Sequence, residues 1–156
     1  MKNFIARTIT GILFVAAVVV SFLDPVAMIA LFCLVTGLTV WEFTGLVNRR
    51  DDVSVNRFIS TVAGCYFFLA MAGYACGMTP PTVFVPYLVT ILYLLVSELY
   101  AKQPDPIHDW AYTMMSQLYV VLPFSLLNIL AFRVSAEGMT FTSVLPLSVF
   151  VFLWIN

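Results

Sequence analysis

The carboxylates that could do chemistry in this sequence lie at the ends of apolar runs. Glu42 follows one such run and Glu98 follows another. If these runs cross a membrane, both side chains could face an interior polar site close to the membrane surface. The simpler interpretation is that both are solvated, because the cost of a charge falls steeply away from the bilayer centre. We favour the solvated interpretation for both residues.

The single histidine also lies between carboxylates, in the segment D-P-I-H-D-W. Asp105 and Asp109 flank His108, but this spacing matches no metal-binding motif, and we interpret the histidine as solvated. The three cysteines lie in apolar runs without metal spacing and are interpreted as small buried side chains: Cys33, Cys65 and Cys76. Phosphate-binding glycine loops and a G-x-S-x-G elbow do not occur. The residues alone therefore predict a membrane bundle and no particular reaction.

The composition places these side chains in a membrane protein. Of 156 residues, 62% are hydrophobic and 10% are charged, with a mean hydropathy of +1.02, whereas soluble domains carry roughly 25% charged residues. Long uncharged runs favour helices, because a backbone in hydrocarbon must satisfy its own hydrogen bonds. The balance of 7 Lys and Arg against 8 Asp and Glu argues against a nucleic-acid partner, which would need a basic face.

The sequence predicts an all-α, polytopic integral membrane helical bundle with about six transmembrane helices. Double proline in Thr79-Pro80-Pro81-Thr82 divides the longest run, Pro123 is expected to kink the fifth span, and Thr44–Arg57 and Arg133–Thr140 are predicted to be loops. The first span is interpreted as retained, since no small-residue cleavage site follows it. We expect the last span to be truncated. The predicted spans are 5–23, 25–43, 58–77, 83–100, 110–132 and 141–156.

The basic residues predict the orientation of this bundle. With the N-terminus in the cytoplasm, six of the seven Lys and Arg residues fall on inside segments and only Arg133 falls outside, which is a strong positive-inside bias. Span six would then carry Asn156 to the cytoplasmic face. Gly73 and Gly77 form a small-x-x-x-small pattern, for which helix packing and a helix-ending role are equally good interpretations.

Three segments carry a resemblance to a known family. They are Phe4–Gly11, where an arginine precedes the first span, Val40–Phe43 with its W-E pair, and Phe152–Asn156 with F-L-W-I-N. Together they resemble the N-terminal membrane region of bacterial phosphatidate cytidylyltransferases, or CDP-diglyceride synthases. The last segment looks like the start of the W-x-x-D-x-x-A-Y motif of that family, and the family's later signatures do not occur in this chain.

The resemblance implies an activity and its partners. The family converts CTP and phosphatidate into CDP-diacylglycerol and pyrophosphate with Mg²⁺ in the bacterial inner membrane, and a homodimer is possible. We expect the catalytic and metal-binding residues to lie beyond Asn156, so that this chain by itself would be inactive and bind no Mg²⁺. Glu42 and Asn156 are the residues expected nearest the site. The alternatives are a small multi-pass transporter or a structural membrane subunit, and the arginines are interpreted mainly as topology determinants.

Overall fold

The computed structural model describes residues 2–101, 105–135 and 138–155, with side chains from residue 7 onward except that of Ser135. Six helices and one hairpin are formed within these ranges. In chain order they are α1 (Lys2–Ser21), α2 (Pro25–Val47), α3 (Arg57–Ala75), a 3₁₀ turn (Pro81–Phe84) leading into α4 (Val85–Tyr100), α5 (Pro106–Ala131), β1 (Phe132–Ser135), β2 (Gly138–Phe141) and α6 (Val144–Ile155).

Four of these helices are long and apolar enough to cross a membrane: α2, α3, the 3₁₀ turn together with α4, and α5. Two shorter apolar helices are the part of α1 whose side chains are described (Arg7–Ser21) and α6. The prediction of an all-α membrane bundle is therefore confirmed. Packing centres on α3, which lies between α2 and the second half of α5, and the core between them is built from large apolar side chains such as Phe32, Phe68 and Leu127.

Local sequence explains where α2 begins. Asp24 accepts a hydrogen bond at 2.8 Å from the backbone N–H of Ala27, and Pro25 occupies the first helical position. A carboxylate cap followed by proline is a strong start signal, because the cap satisfies a free N–H and proline has none to satisfy. The helix begins at Pro25, the residue at which the second span was predicted to begin.

Gly77 ends α3. Its φ is +70°, its N–H donates to Tyr74, and the N–H of Met78 donates to Gly73 at 2.9 Å. These two bonds are a Schellman motif, which needs a left-handed residue and so favours glycine. Of the two interpretations of the glycine pair, the structure supports the helix-ending one for Gly77.

Pro123 distorts the fifth span without interrupting it. The helix is continuous from Pro106 to Ala131, but Ser116–Val121 forms a π-helical segment immediately before the proline. Proline lacks an N–H and its ring crowds the carbonyl four residues earlier. A wider π turn accommodates both effects, and such segments often occur at functional sites.

Several predicted boundaries and loops differ from the structure, among them the start of the fifth span, which lies at Pro106 and not at 110. Helix α2 continues past Phe43 to Val47, because Thr44–Val47 contains no proline and no charged residue. The segment that follows, within the predicted loop 44–57, is partly buried, since Val53 and Val55 have little exposed surface. The predicted loop 133–140 lies in an antiparallel hairpin in which Phe132 pairs with Phe141. Pairing of Phe141 delays the last helix, which begins at Val144 and not at 141.

Candidate functional site

Most of the ionisable residues gather at one end of the bundle, which we call the charged end. It comprises the C-terminal turns of α2 and α4, the N-terminal turns of α3 and α5, and the segments that join them. The opposite end carries the turns at residues 22–24 and 76–80 and the hairpin. Two polar features occupy the charged end: an open pocket beside Arg57 and a buried pair of carboxylates.

The Arg57 pocket is a cavity of about 350 Å³ between the end of α2 and the start of α3. The Arg57 guanidinium carbon lies 4.1 Å from the centre of the Trp41 ring, and Nη2 donates a 3.0 Å hydrogen bond to the Trp41 carbonyl. Its Nε is buried and has no hydrogen-bond partner among the described residues. The pocket is lined by Trp41, Glu42, Gly45, Leu46, Arg49 and Arg57.

Gly45 makes room for this arginine. A Cβ at position 45 would lie 2.7 Å from Nη2 and 2.9 Å from Cζ of Arg57, which is closer than real Cβ contacts. Any larger residue at this position would force the guanidinium to shift from its place on the Trp41 ring. The cation–π contact therefore depends on the small residue one turn after Trp41 on α2.

The two sequence-predicted site residues have different outcomes. Glu42 is exposed and lines the Arg57 pocket beside two guanidinium groups, so its proximity to a site stays a prediction with a defined location. Asn156 lies outside the described residues. The helix before it, α6, has 12 residues, or about 18 Å of the roughly 30 Å hydrocarbon core. Phe150 of α6 packs on Phe32 of α2 with ring centres 5.6 Å apart. Phe32 precedes Glu42 by ten residues, or about 15 Å along the helix axis.

Glu98 and Asp109 form the second feature, and the solvated interpretation of Glu98 was wrong. Glu98 is 5% exposed and Asp109 is fully buried. Asp109 Oδ1 accepts a 2.6 Å hydrogen bond from the backbone N–H of Ser54, whereas Oδ2 has no partner among the described residues. Burying a carboxylate is costly unless it is paired. The helix α5 therefore holds a carboxylate whose second oxygen is left to accept a hydrogen bond.

A polar stripe continues from this acid along the buried face of α5. Thr113, Ser116 and Gln117 follow Asp109 at helical spacing and are all buried. The Gln117 amide donates at 3.1 Å both to the Ser60 carbonyl on α3 and to the Ser116 hydroxyl. The stripe thus joins α3 to the π segment of α5 with hydrogen bonds inside an otherwise apolar bundle.

The outer residues of the charged end form local ion pairs. His108 lies in the first turn of α5, and its Nδ1 is 2.7 Å from Asp105, which also caps that helix by accepting from the His108 N–H. This backbone hydrogen bond is the main reason that the pKa of Asp105 is lowered. Arg50 donates to both oxygens of Asp52, and these hydrogen bonds lower the pKa of Asp52 and raise the pKa of Arg50.

Sequence reasoning missed Asp109 because it considered this residue only as a neighbour of His108. The signal was present in the spacing, since Asp109, Thr113 and Gln117 recur every four residues in an apolar helix. A helix with one polar stripe points that stripe at its neighbours. Among the residues that the structure describes, no group of three or more His, Cys, Asp or Glu side chains could hold a metal ion.

Fold and composition define a polytopic helical membrane protein with its ionisable residues concentrated at one end. Comparison with protein families then identifies the family. The model of the cytidylyltransferase family matches residues 5–154, so the chain belongs to that family of CTP-using transferases. No curated protein and no solved structure matches this chain. The resemblance seen in three short segments of the sequence is thereby confirmed at the level of the family.

Proposed function

We propose that this chain is the membrane region of a cytidylyltransferase whose acceptor is phosphatidate and whose products are CDP-diacylglycerol and pyrophosphate. The observation that carries the proposal is the family match over residues 5–154. The membrane bundle supports a lipid acceptor, because a phosphate at headgroup level and a nucleotide from water can meet only at the ends of the helices.

The proposed reaction exchanges one phosphoanhydride bond for another. A phosphate oxygen of phosphatidate attacks the α-phosphorus of CTP, the bond from that phosphorus to the bridging oxygen of the β-phosphate breaks, and pyrophosphate leaves. Both reactants are polyanions, so positive charge near them lowers the barrier. Arg49 and Arg57 supply such charge at the charged end, and we propose that they help to hold the acceptor headgroup near Glu42.

Mg²⁺ is part of the proposal, as a metal that would neutralise and align the phosphates. The described residues do not fit a resident Mg²⁺ site, because no three potential ligands come together among them. Glu98 and Asp109 are two carboxylates without a third. We therefore derive no step through the metal from this chain.

The proposed location is the bacterial inner membrane with the charged end in the cytoplasm. Six basic residues against one support this orientation, and CTP is a cytosolic nucleotide. In a variant without native cysteines, Asp51→Cys should react with an impermeant maleimide only from the cytoplasmic side, and Met139→Cys only from outside. The reverse labelling pattern would overturn the orientation.

The reaction is tested with membranes prepared from cells that express the complete reading frame. CTP labelled at the α-phosphate should give labelled CDP-diacylglycerol when phosphatidate is added, and no labelled lipid when diacylglycerol replaces it. The 156-residue chain expressed alone is expected to give no product. Labelling of a different acceptor, or turnover that ignores phosphatidate, would overturn the proposed substrate.

The alternative function is a transporter, which the buried polar stripe of α5 would also suit. Intramembrane acids usually mark transport or proton pathways. Here Glu98 lies in the last turn of α4 and Asp109 in the first turn of α5, so both acids lie at the ends of spans. That position favours a site at the membrane surface over a pathway through the bilayer centre.

A further inference from the structure

An apolar groove runs along the outer surface of the bundle between α2 and α3. Its volume is about 780 Å³, and its lining on α2 extends from Val26 to Trp41, with Thr61, Cys65 and Leu69 on α3. Fifteen residues of helix correspond to about 22 Å, which exceeds the roughly 15 Å depth of one leaflet of the hydrocarbon core. The groove is therefore long enough to hold an extended acyl chain over the full depth of a leaflet.

The groove ends at the Arg57 pocket. Trp41 lines both cavities, so the apolar surface passes directly into a polar one at the charged end. Two guanidinium groups, Arg49 and Arg57, and one carboxylate, Glu42, line the polar part. Their summed formal charge is one positive, which matches the single negative charge of a phosphodiester.

Arg57, beside Trp41, is held in a position that suits anion binding. Its guanidinium is fixed by the Trp41 ring and by the Trp41 carbonyl, and its Nε–H is buried without a partner among the described residues. A buried donor without an acceptor costs free energy, and a phosphate oxygen is the acceptor that arginine binds best. Arg49 is exposed at the same pocket and adds a second donor group.

From these observations we infer that α2 and α3 form a binding site for one anionic glycerophospholipid. Its phosphodiester lies on Arg49 and Arg57, and one acyl chain lies in the groove below Trp41. The inference rests on the proposed function, because Arg49 and Arg57 are the residues proposed above to hold the acceptor headgroup, and it adds the place of the acyl chain and the class of lipid. A phosphodiester lipid such as phosphatidylglycerol lacks the terminal phosphate that the proposed reaction consumes, so binding and turnover can be tested separately.

Trp41 provides the assay. The full chain with Trp110→Phe and Trp154→Phe is placed in phosphatidylcholine nanodiscs that contain a trace of phospholipid with brominated acyl chains. Bromine quenches tryptophan at close range, so quenching reports a chain in the groove. Brominated phosphatidylglycerol should quench Trp41 at a much lower mole fraction than brominated phosphatidylcholine, and added salt should reduce the difference.

Three pairs of variants test the two halves of the site. Arg49→Gln should weaken the preference for phosphatidylglycerol about fivefold, whereas Arg133→Gln at the opposite end should not change it. Ala30→Leu narrows the groove from an exposed position and should reduce quenching, whereas Ala27→Leu changes a residue outside the groove and should not. Circular dichroism establishes that each variant remains helical, and Arg57→Lys should retain part of the preference that Arg57→Gln loses.

Three outcomes would overturn the inference. Equal quenching by phosphatidylglycerol and phosphatidylcholine would mean that the groove does not select anions. Displacement by millimolar glycerol 3-phosphate, with no effect of Ala30→Leu, would mean that the pocket binds a free phosphate ester. Absence of quenching, with cross-linking through Cys65 between two chains, would mean that a second copy covers the groove.

Discussion

The contact between Arg57 and Trp41 predicts a mutation whose effect on stability changes sign with its background. Gly45→Ala replaces a helical glycine, which alone should stabilise the protein by about 0.5–1 kcal/mol. Its Cβ, however, would lie 2.7 Å from Nη2 of Arg57. The guanidinium must then shift, and we expect the shift to break its contacts with the Trp41 ring and the Trp41 carbonyl.

The magnitude follows from the interactions that are lost. An exposed cation–π contact contributes about 0.5–1 kcal/mol, and the hydrogen bond to the Trp41 carbonyl contributes about 1 kcal/mol. Gly45→Ala should therefore destabilise the protein by about 1 kcal/mol in spite of its better helix propensity. In an Arg57→Ala background there is nothing to displace, so Gly45→Ala should stabilise by about 0.5–1 kcal/mol. The expected coupling free energy is close to 2 kcal/mol.

The measurement is a double-mutant cycle. Reversible unfolding is followed by far-UV circular dichroism as the mole fraction of dodecyl sulfate rises in mixed micelles. Gly11→Ala is the matched control, because a Cβ at Gly11 meets nothing within 4 Å, and it should stabilise both backgrounds equally. If Gly45→Ala stabilises the protein with Arg57 present, the guanidinium does not occupy the described position and the reasoning is refuted.

Three further predictions concern the ends of helices and the buried acid. Gly77→Ala should destabilise by about 1–2 kcal/mol in the same unfolding assay, because its φ is +70° and left-handed backbone is costly with a Cβ; no loss would contradict the Schellman ending. Asp109→Asn keeps the acceptor for the Ser54 N–H and should change stability by less than about 1 kcal/mol, whereas Asp109→Ala should cost about 2 kcal/mol; equal losses would show that the hydrogen bond is unimportant. Asp105 has a pKa lowered mainly by the backbone N–H that it caps, so its stabilisation is complete above its unfolded pKa of about 3.9 and is lost as the pH falls through the lower folded value. Protection of the amides at the start of α5, relative to the intrinsic exchange rate at each pH, should fall over that pH range, and Asp105→Asn should remove most of this change; loss of protection near neutral pH would contradict the assignment.

Much of the fold is readable from the sequence because helices in lipid are governed locally. Each span must satisfy its own backbone, so long apolar runs and their breakers locate the helices. The Asp24-Pro25 start and the Pro80-Pro81 break are both where they were expected. The hairpin at 132–141 was missed because residues 133–140 were predicted to be a loop between two apolar spans, and strand pairing depends on the facing strand as well as on the local sequence.

The candidate site, like the fold, could be predicted only in part from the sequence. That ionisable residues collect at span ends is visible in the sequence, and so is the W-E pair at Trp41 and Glu42. Which of them face inward is not visible. Glu98 and Glu42 both end an apolar run, yet one is buried and the other lines an open pocket.

The sequence by itself determined that this protein is a helical membrane bundle of the cytidylyltransferase kind, since apolar length, breakers and short family segments are properties of contiguous residues. Only the tertiary structure decided that Asp109 is buried and that the polar stripe of α5 faces α3. Those facts depend on partners 55 and 57 positions away, the Ser54 N–H for Asp109 and the Ser60 carbonyl for Gln117. A side chain's surroundings are set by which helices pack together, and spacing within one helix fixes only the direction that its side chains share.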